Sequence, residues 1–189
     1  MDRDQLHAMS LKISDLQVAL DVFEGMFISK KNADQIVIPF PEIGKAINAA
    51  LITELIIGCA AIFSDPSRSM GNENMSFENL RSKYLSVESS ETKLIYEQLT
   101  AILKAMNIKD FRNKHVGHLD LNSALGITSV NRHISVNQLR EVFTLAQKYL
   151  HSLGRESGLL LKTEHMAYYS AIPASRNTEI FLSQISGNA

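Results

Sequence analysis

Between Pro41 and Pro66 the chain is apolar around almost the whole circumference of a helix. Ile43, Ile47, Leu51, Leu55 and Ile62 recur at helical spacing from Glu42 onward, and mostly alanine, leucine, isoleucine and glycine fill the positions between them. A helix without a generous polar face must be covered on several sides, so it is either the central member of a bundle or part of a subunit interface, and core is the simpler reading. Asn48, Thr53 and Glu54 interrupt the run from Ile47 to Phe63, which therefore reads as a buried bundle helix rather than a membrane span. Proline fixes both ends: Pro39-Phe40-Pro41 prevents backward continuation, and Pro66 removes a donor and pushes Asp65 out of helical geometry. Asp65 itself reads as a cap of the loop that follows.

The remaining segments supply the cover. Leu6, Met9, Ile13, Leu16, Leu20, Phe23 and Phe27 recur at steps of three and four and predict a first helix over 4–28. Lys30-Lys31-Asn32-Ala33-Asp34 breaks that pattern, and Ile36-Val37-Ile38 carries a short strand signal, as does Leu159-Leu160-Leu161. Turn formers over 65–75 predict an exposed loop, and Ser76 caps a short helix bearing Phe77, Leu80 and Tyr84. A helix from Glu91 to Met106 ends at Asn107, and Asp110 is placed to cap a helix from Phe111 to about Leu121. Residues 122–133 read as a loop. Ser135 then opens a well-patterned helix that Gly154 ends.

These elements predict an all-α antiparallel helical bundle with short loops over residues 1–155, followed by an extra C-terminal segment, 156–189. That appendage holds Tyr168-Tyr169, Pro173 and an amphipathic stretch near 179–185, and is expected to pack on the bundle or at a dimer interface.

Bulk chemistry narrows the function less than the fold. Nineteen Lys and Arg against twenty Asp and Glu exclude a global nucleic-acid coat. Any attraction for RNA must be local, and segment 104–118 supplies it: Lys104, Lys109, Arg112 and Lys114 face only Asp110, with His115 and His118 able to add charge. A single cysteine, Cys59, rules out an intrachain disulfide, and the polar start lacks the apolar core of a leader; the expected location is the cytoplasm.

Several chemistries are poorly served. The nine glycines form no phosphate-cradling loop with a lysine at the required offset, and no glycine-flanked serine follows a strand. His115, His118 and Asp120 lack the Glu-x-x-His on another helix that a bundle metal site needs, so neither a metal nor a cofactor is expected. Arg112 and His118 remain: a permanently charged fork for a phosphate and a side chain that exchanges a proton near neutral pH.

Phe111-Arg112-Asn113-Lys114-His115-Val116-Gly117-His118 has five residues between arginine and histidine, with a polar residue directly after the arginine. In this the chain resembles the HEPN superfamily of small helical bundles, and in particular its abortive-infection, phage-defence branch. The apolar helix ending in Phe63-Ser64-Asp65-Pro66 and the helix opening at Met75-Ser76-Phe77-Glu78-Asn79-Leu80 are similar to that branch as well, so the resemblance spans roughly residues 40–155.

The resemblance implies a homodimer with the motif helices face to face, acting on RNA as a metal-independent endoribonuclease of defence or toxin–antitoxin type. It implies Arg112 and His118 as catalytic residues: Arg112 would hold the scissile phosphate, and His118 would take the proton of the ribose 2′-hydroxyl, leaving a 2′,3′-cyclic phosphate. Asn113, Lys114 and His115 are the accompanying substrate-binding candidates. Asn113 orients the arginine, the histidine or the phosphate, or is a plain polar residue of the turn. On a regular helix the step from Arg112 to His118 turns about 600°, leaving the side chains about 120° apart. One histidine does not readily serve both oxygens, so a two-fold composite site is expected. Further expected partners are an antitoxin or regulatory protein, and no membrane. The alternative is a non-catalytic helical dimer that binds RNA or protein, in which Arg112 and His118 satisfy each other.

Overall fold

The computed structural model describes residues 2–113, 134–160 and 174–185. The protein is an all-α helical bundle. Helix α1 spans Asp2–Phe23 and continues as a π-helical turn, Glu24–Ile28. Its apolar repeat does what the spacing predicts: Leu6, Met9, Ile13, Leu16 and Leu20 form an unbroken buried seam.

Residues 30–38 depart from expectation. Lys30–Val37 is helix α2, not a break followed by a strand, because Ile36 enters a small apolar cluster with Met26 while Lys30 and Lys31 face out. The amphipathic pattern of eight residues outweighs the β-branched triplet. Helix α3, Pro41–Phe63, begins with proline in its first turn, where the missing N–H has no intrahelical partner to lose.

Helix α3 is covered along only part of its length. Leu55, Ile56, Cys59, Ala60 and Ile62 are buried, whereas Ile43, Ala46, Ala50 and Ile57 lie exposed on one face. Its most apolar 18-residue window has a mean hydropathy of 2.0 and is 33% buried, so by length and composition alone α3 is able to cross a bilayer. The expectation of a helix surrounded on several sides holds for its second half.

A two-residue hairpin, β1 Arg68–Ser69 with β2 Asn72–Glu73, stands within the expected loop, turning through Met70 and Gly71 at positive φ. Helix α4, Phe77–Tyr84, starts at Ser76, whose hydroxyl accepts from Asn79 N–H. Helix α5, Ser90–Met106, is capped at its start by Ser89 and at its end by Asn107 in the left-handed region, φ 50°. With no intervening loop, α6 occupies Ile108–Phe111. The described start of this helix is therefore Ile108 and not Asp110, which lies inside the first turn. Helix α7, Val136–Glu156, carries a full capping box between Ser135 and Gln138 and runs through Gly154 instead of stopping there; the left-handed residue is Gly158. Helix α8 is Ala174–Ile185.

Three antiparallel contacts build the bundle. Helix α5 lies along α7, with Tyr96 against Tyr149 and Thr92 against Glu156; α7 lies along α1, with Gln147 at Ser10 and Arg140 at Asp21. Helix α1 then packs on α3, where a Cβ on Gly58 would stand 2.5 Å from Leu16 Cδ2, so glycine there sets how closely the two helices approach. Leu182 of α8 seats against Met26 and Ile36.

Candidate functional site

The end of α6 places Arg112. Phe111 is packed against the main core, and Arg112, the next residue, is part-buried. Arg112 and Asn113 form a π-helical turn there. The arginine side chain keeps 23% of its surface exposed, and its Nη1 donates to Asp65 Oδ1 at 2.6 Å while Nε donates to Asn113 Oδ1 at 3.1 Å. Five N–H groups in a planar fork leave donors beyond these two bonds, so an oxyanion can still be gripped from the open side.

Asp65 is thus not the loop cap that its place before Pro66 suggests. The loop is held by others: Asn74 Nδ2 and Ser76 Oγ donate to Pro66 O, and Asn79 Nδ2 donates to Asn74 O. That division of labour frees the Asp65 carboxylate to face α6. Ser64, which ends α3, and Asp65 project the carboxylate from a helix terminus, a firm base for a positioning contact.

Asn113 is exposed, and its Oδ1 accepts from Arg112 Nε. Lys114, His115 and His118 lie outside the described residues, as does Asp120. The pairing of Arg112 with a histidine is therefore carried by sequence alone. The Asp65 contact is what sequence reasoning missed. Asp65 and Arg112 stand 47 residues apart at the ends of two different helices, and no periodicity links them.

Set beside known proteins, the chain matches no family model, no curated protein and no solved structure. Its chemistry rests on its own residues. Among those described, no three His, Cys, Asp or Glu side chains gather as a metal site. An apolar cavity of about 230 Å³ lies beside Phe111, between α1, α3 and α7, with Leu20, Phe23, Ile52 and Leu139 in its walls. None of its lining residues among those described is titratable.

A second polar cluster lies where α4, α5 and α7 converge. The Glu88 carboxylate, 2% exposed, accepts both Nε and Nη2 of Arg81 and the hydroxyl of buried Tyr149. Arg81 also stacks 4.2 Å from the Tyr96 ring centroid. Burial, followed by the charge of Glu88, pushes the Tyr149 phenol far above its ordinary range, so it stays a hydrogen-bond donor. Every strong group there is satisfied, which makes it a clamp between helices and not a reacting centre.

Proposed function

We propose that the protein is a metal-independent endoribonuclease, of prokaryotic defence or toxin type, that works as a homodimer. The observation that supports it is Arg112: a guanidinium held by Asp65 at Nη1 and by Asn113 at Nε, its side chain still 23% exposed, at the first residue of the Arg-x5-His motif.

In this reading Arg112 binds the non-bridging oxygens of the scissile phosphate and stabilises the charge that gathers on them. His118 accepts the proton of the ribose 2′-hydroxyl as its oxygen bonds to phosphorus. The bond from phosphorus to the 5′-oxygen breaks, and the histidine of the second copy protonates that leaving oxygen. The products are a 2′,3′-cyclic phosphate and a free 5′-hydroxyl. The exposed face of α3, with Ile43, Ala46, Ala50 and Ile57, offers apolar surface that a dimer would bury. An RNA substrate would place the protein in the cytoplasm, and an antitoxin or other regulatory protein is the fitting means of restraint.

One observation favours a second reading. Asp65 already neutralises Arg112, as it would in a helical dimer that binds RNA or protein without cutting it. RNA cleavage in excess chelator decides between them, with Arg112→Ala and His118→Ala made separately and each checked for folding by circular dichroism. The ribonuclease reading expects cleavage by the wild type alone; equal activity in all three, or none in the wild type, overturns it. Loss of wild-type cleavage on chelation rejects the metal-free mechanism.

A further inference from the structure

Next to the Arg112–Asp65 pair the surface sinks into a depression of about 260 Å³, formed where the ends of α3 and α5 meet α6. Its floor is apolar and aromatic: Phe63, Leu103 and Ile108. Lys104 and Lys109 line it, both exposed, and among the described residues neither makes an ion pair. Thr100 lines it too. Its hydroxyl donates to the backbone oxygens of Tyr96 and Glu97, which leaves the oxygen lone pairs available as acceptors.

Two exposed lysines beside an apolar, aromatic floor, with a hydroxyl acceptor at the side, fit a particular ligand chemistry. A phosphate answers the lysines, a flat base answers Phe63, and the amino or imino hydrogens of the base answer Thr100. The volume falls below the roughly 300–1,000 Å³ of drug-sized clefts, which suits one nucleotide and not a longer piece. The negative end of the α5 dipole also points here. Lys104 and Lys109 offset it, so their charge is needed before any anion can enter.

We infer that this depression is a subsite for one ribonucleotide of the RNA strand, adjacent to the scissile phosphate, with its phosphate on Lys104 and Lys109 and its base on Phe63. This rests on the RNA reading above. The connection is short: Ser64, also in the wall, directly precedes Asp65, and Lys109 stands three residues before Arg112. In this proposal a strand whose phosphate sits on Arg112 lays one neighbouring nucleotide over the depression.

Two measurements test it apart from cleavage. Calorimetric titration of the Arg112→Ala protein with uridine, inorganic phosphate and uridine 5′-monophosphate is expected to show the monophosphate binding more tightly than either part. The Lys104→Gln/Lys109→Gln variant is expected to lose that binding, and Lys93→Gln, at the far end of α5, to keep it. Phosphate binding as tightly as the monophosphate, or the lysine pair having no effect, overturns the nucleotide subsite. With labelled single-stranded RNA the Lys104→Gln/Lys109→Gln variant is expected to bind roughly tenfold more weakly at low salt and to lower the salt slope by about 0.7, the share of one phosphate on a single strand. Monophosphate binding without any wild-type RNA cleavage sinks the ribonuclease reading and leaves the subsite standing; cleavage without monophosphate binding does the reverse.

Discussion

Asp65 and Arg112, 47 residues apart, meet at 2.6 Å and tie the end of α3 to the end of α6. Both side chains keep a quarter or so of their surface exposed, and pairs that retain solvent contribute about 0–1 kcal/mol. The contact therefore matters more for direction than for stability. Asp65→Asn is expected to leave the urea midpoint almost unchanged and, on the proposed ribonuclease reading, to lower the rate of RNA cleavage about tenfold or more, because a guanidinium without its anchor samples several aims. Wild-type cleavage by Asp65→Asn would show that Arg112 needs no such anchor.

The Glu88 clamp makes the opposite prediction. Removing a buried ion partner strands the other, at about 3–5 kcal/mol, and the 25% exposure of Arg81 places Glu88→Ala near the lower figure. Tyr149→Phe removes one hydrogen bond to the same carboxylate and is expected to cost about 1 kcal/mol. Urea denaturation measures both. Comparable losses from the two variants would mean that the Arg81–Glu88 pair adds nothing beyond a neutral contact.

Glu156 gives the fold a dependence on acid. Burial raises its pKa, but the hydroxyl and backbone N–H of Ser89 and the hydroxyl of Thr92 outweigh that and hold the carboxyl below the ordinary glutamate value. A group depressed in the folded state contributes stability above its unfolded pKa and loses it as pH falls through the folded one. Glu156→Gln should thus be less stable than wild type at pH 7, and the gap should close as pH drops from the usual glutamate range downward. A gap that stays constant from neutral to strongly acid pH would contradict the assignment.

Asn107 tests the corner between α5 and α6. At φ 50° a side chain with a Cβ is strained, and asparagine tolerates the region better than alanine. Asn107→Ala is expected to lose about 1 kcal/mol and Asn107→Gly to lose little, read from thermal melts followed by circular dichroism. Identical melts for the two variants would remove the left-handed requirement.

How far the sequence could be read depended on whether a signal was periodic. The seam of α1, the caps Ser76 and Ser135 and the left-handed end at Asn107 were legible because spacing and capping chemistry act within one turn of helix. Residues 30–38 misled because three β-branched residues look the same in a short helix and a short strand, and the decision lay with Met26 and Leu182 elsewhere in the chain. The partial cover of α3 was invisible for a related reason: composition states that a face is apolar, not which neighbours reach it. At the candidate site, Arg112 was singled out by its spacing to His118, whereas its contact with Asp65 and the lysine-lined depression depend on helix ends arriving together. Such convergence leaves no local trace.

Helix α5 passes into α6 through Asn107 alone, without a single residue of slack. A hinge stores freedom; a one-residue elbow hands it on. Any tilt of α5, gripped by Glu156 at its opposite end, must be transmitted to the arginine as a change of aim. Arg112 is in that sense mounted on the bundle like a pointer on a shaft, and the stiffness of the whole assembly sets how still it is held.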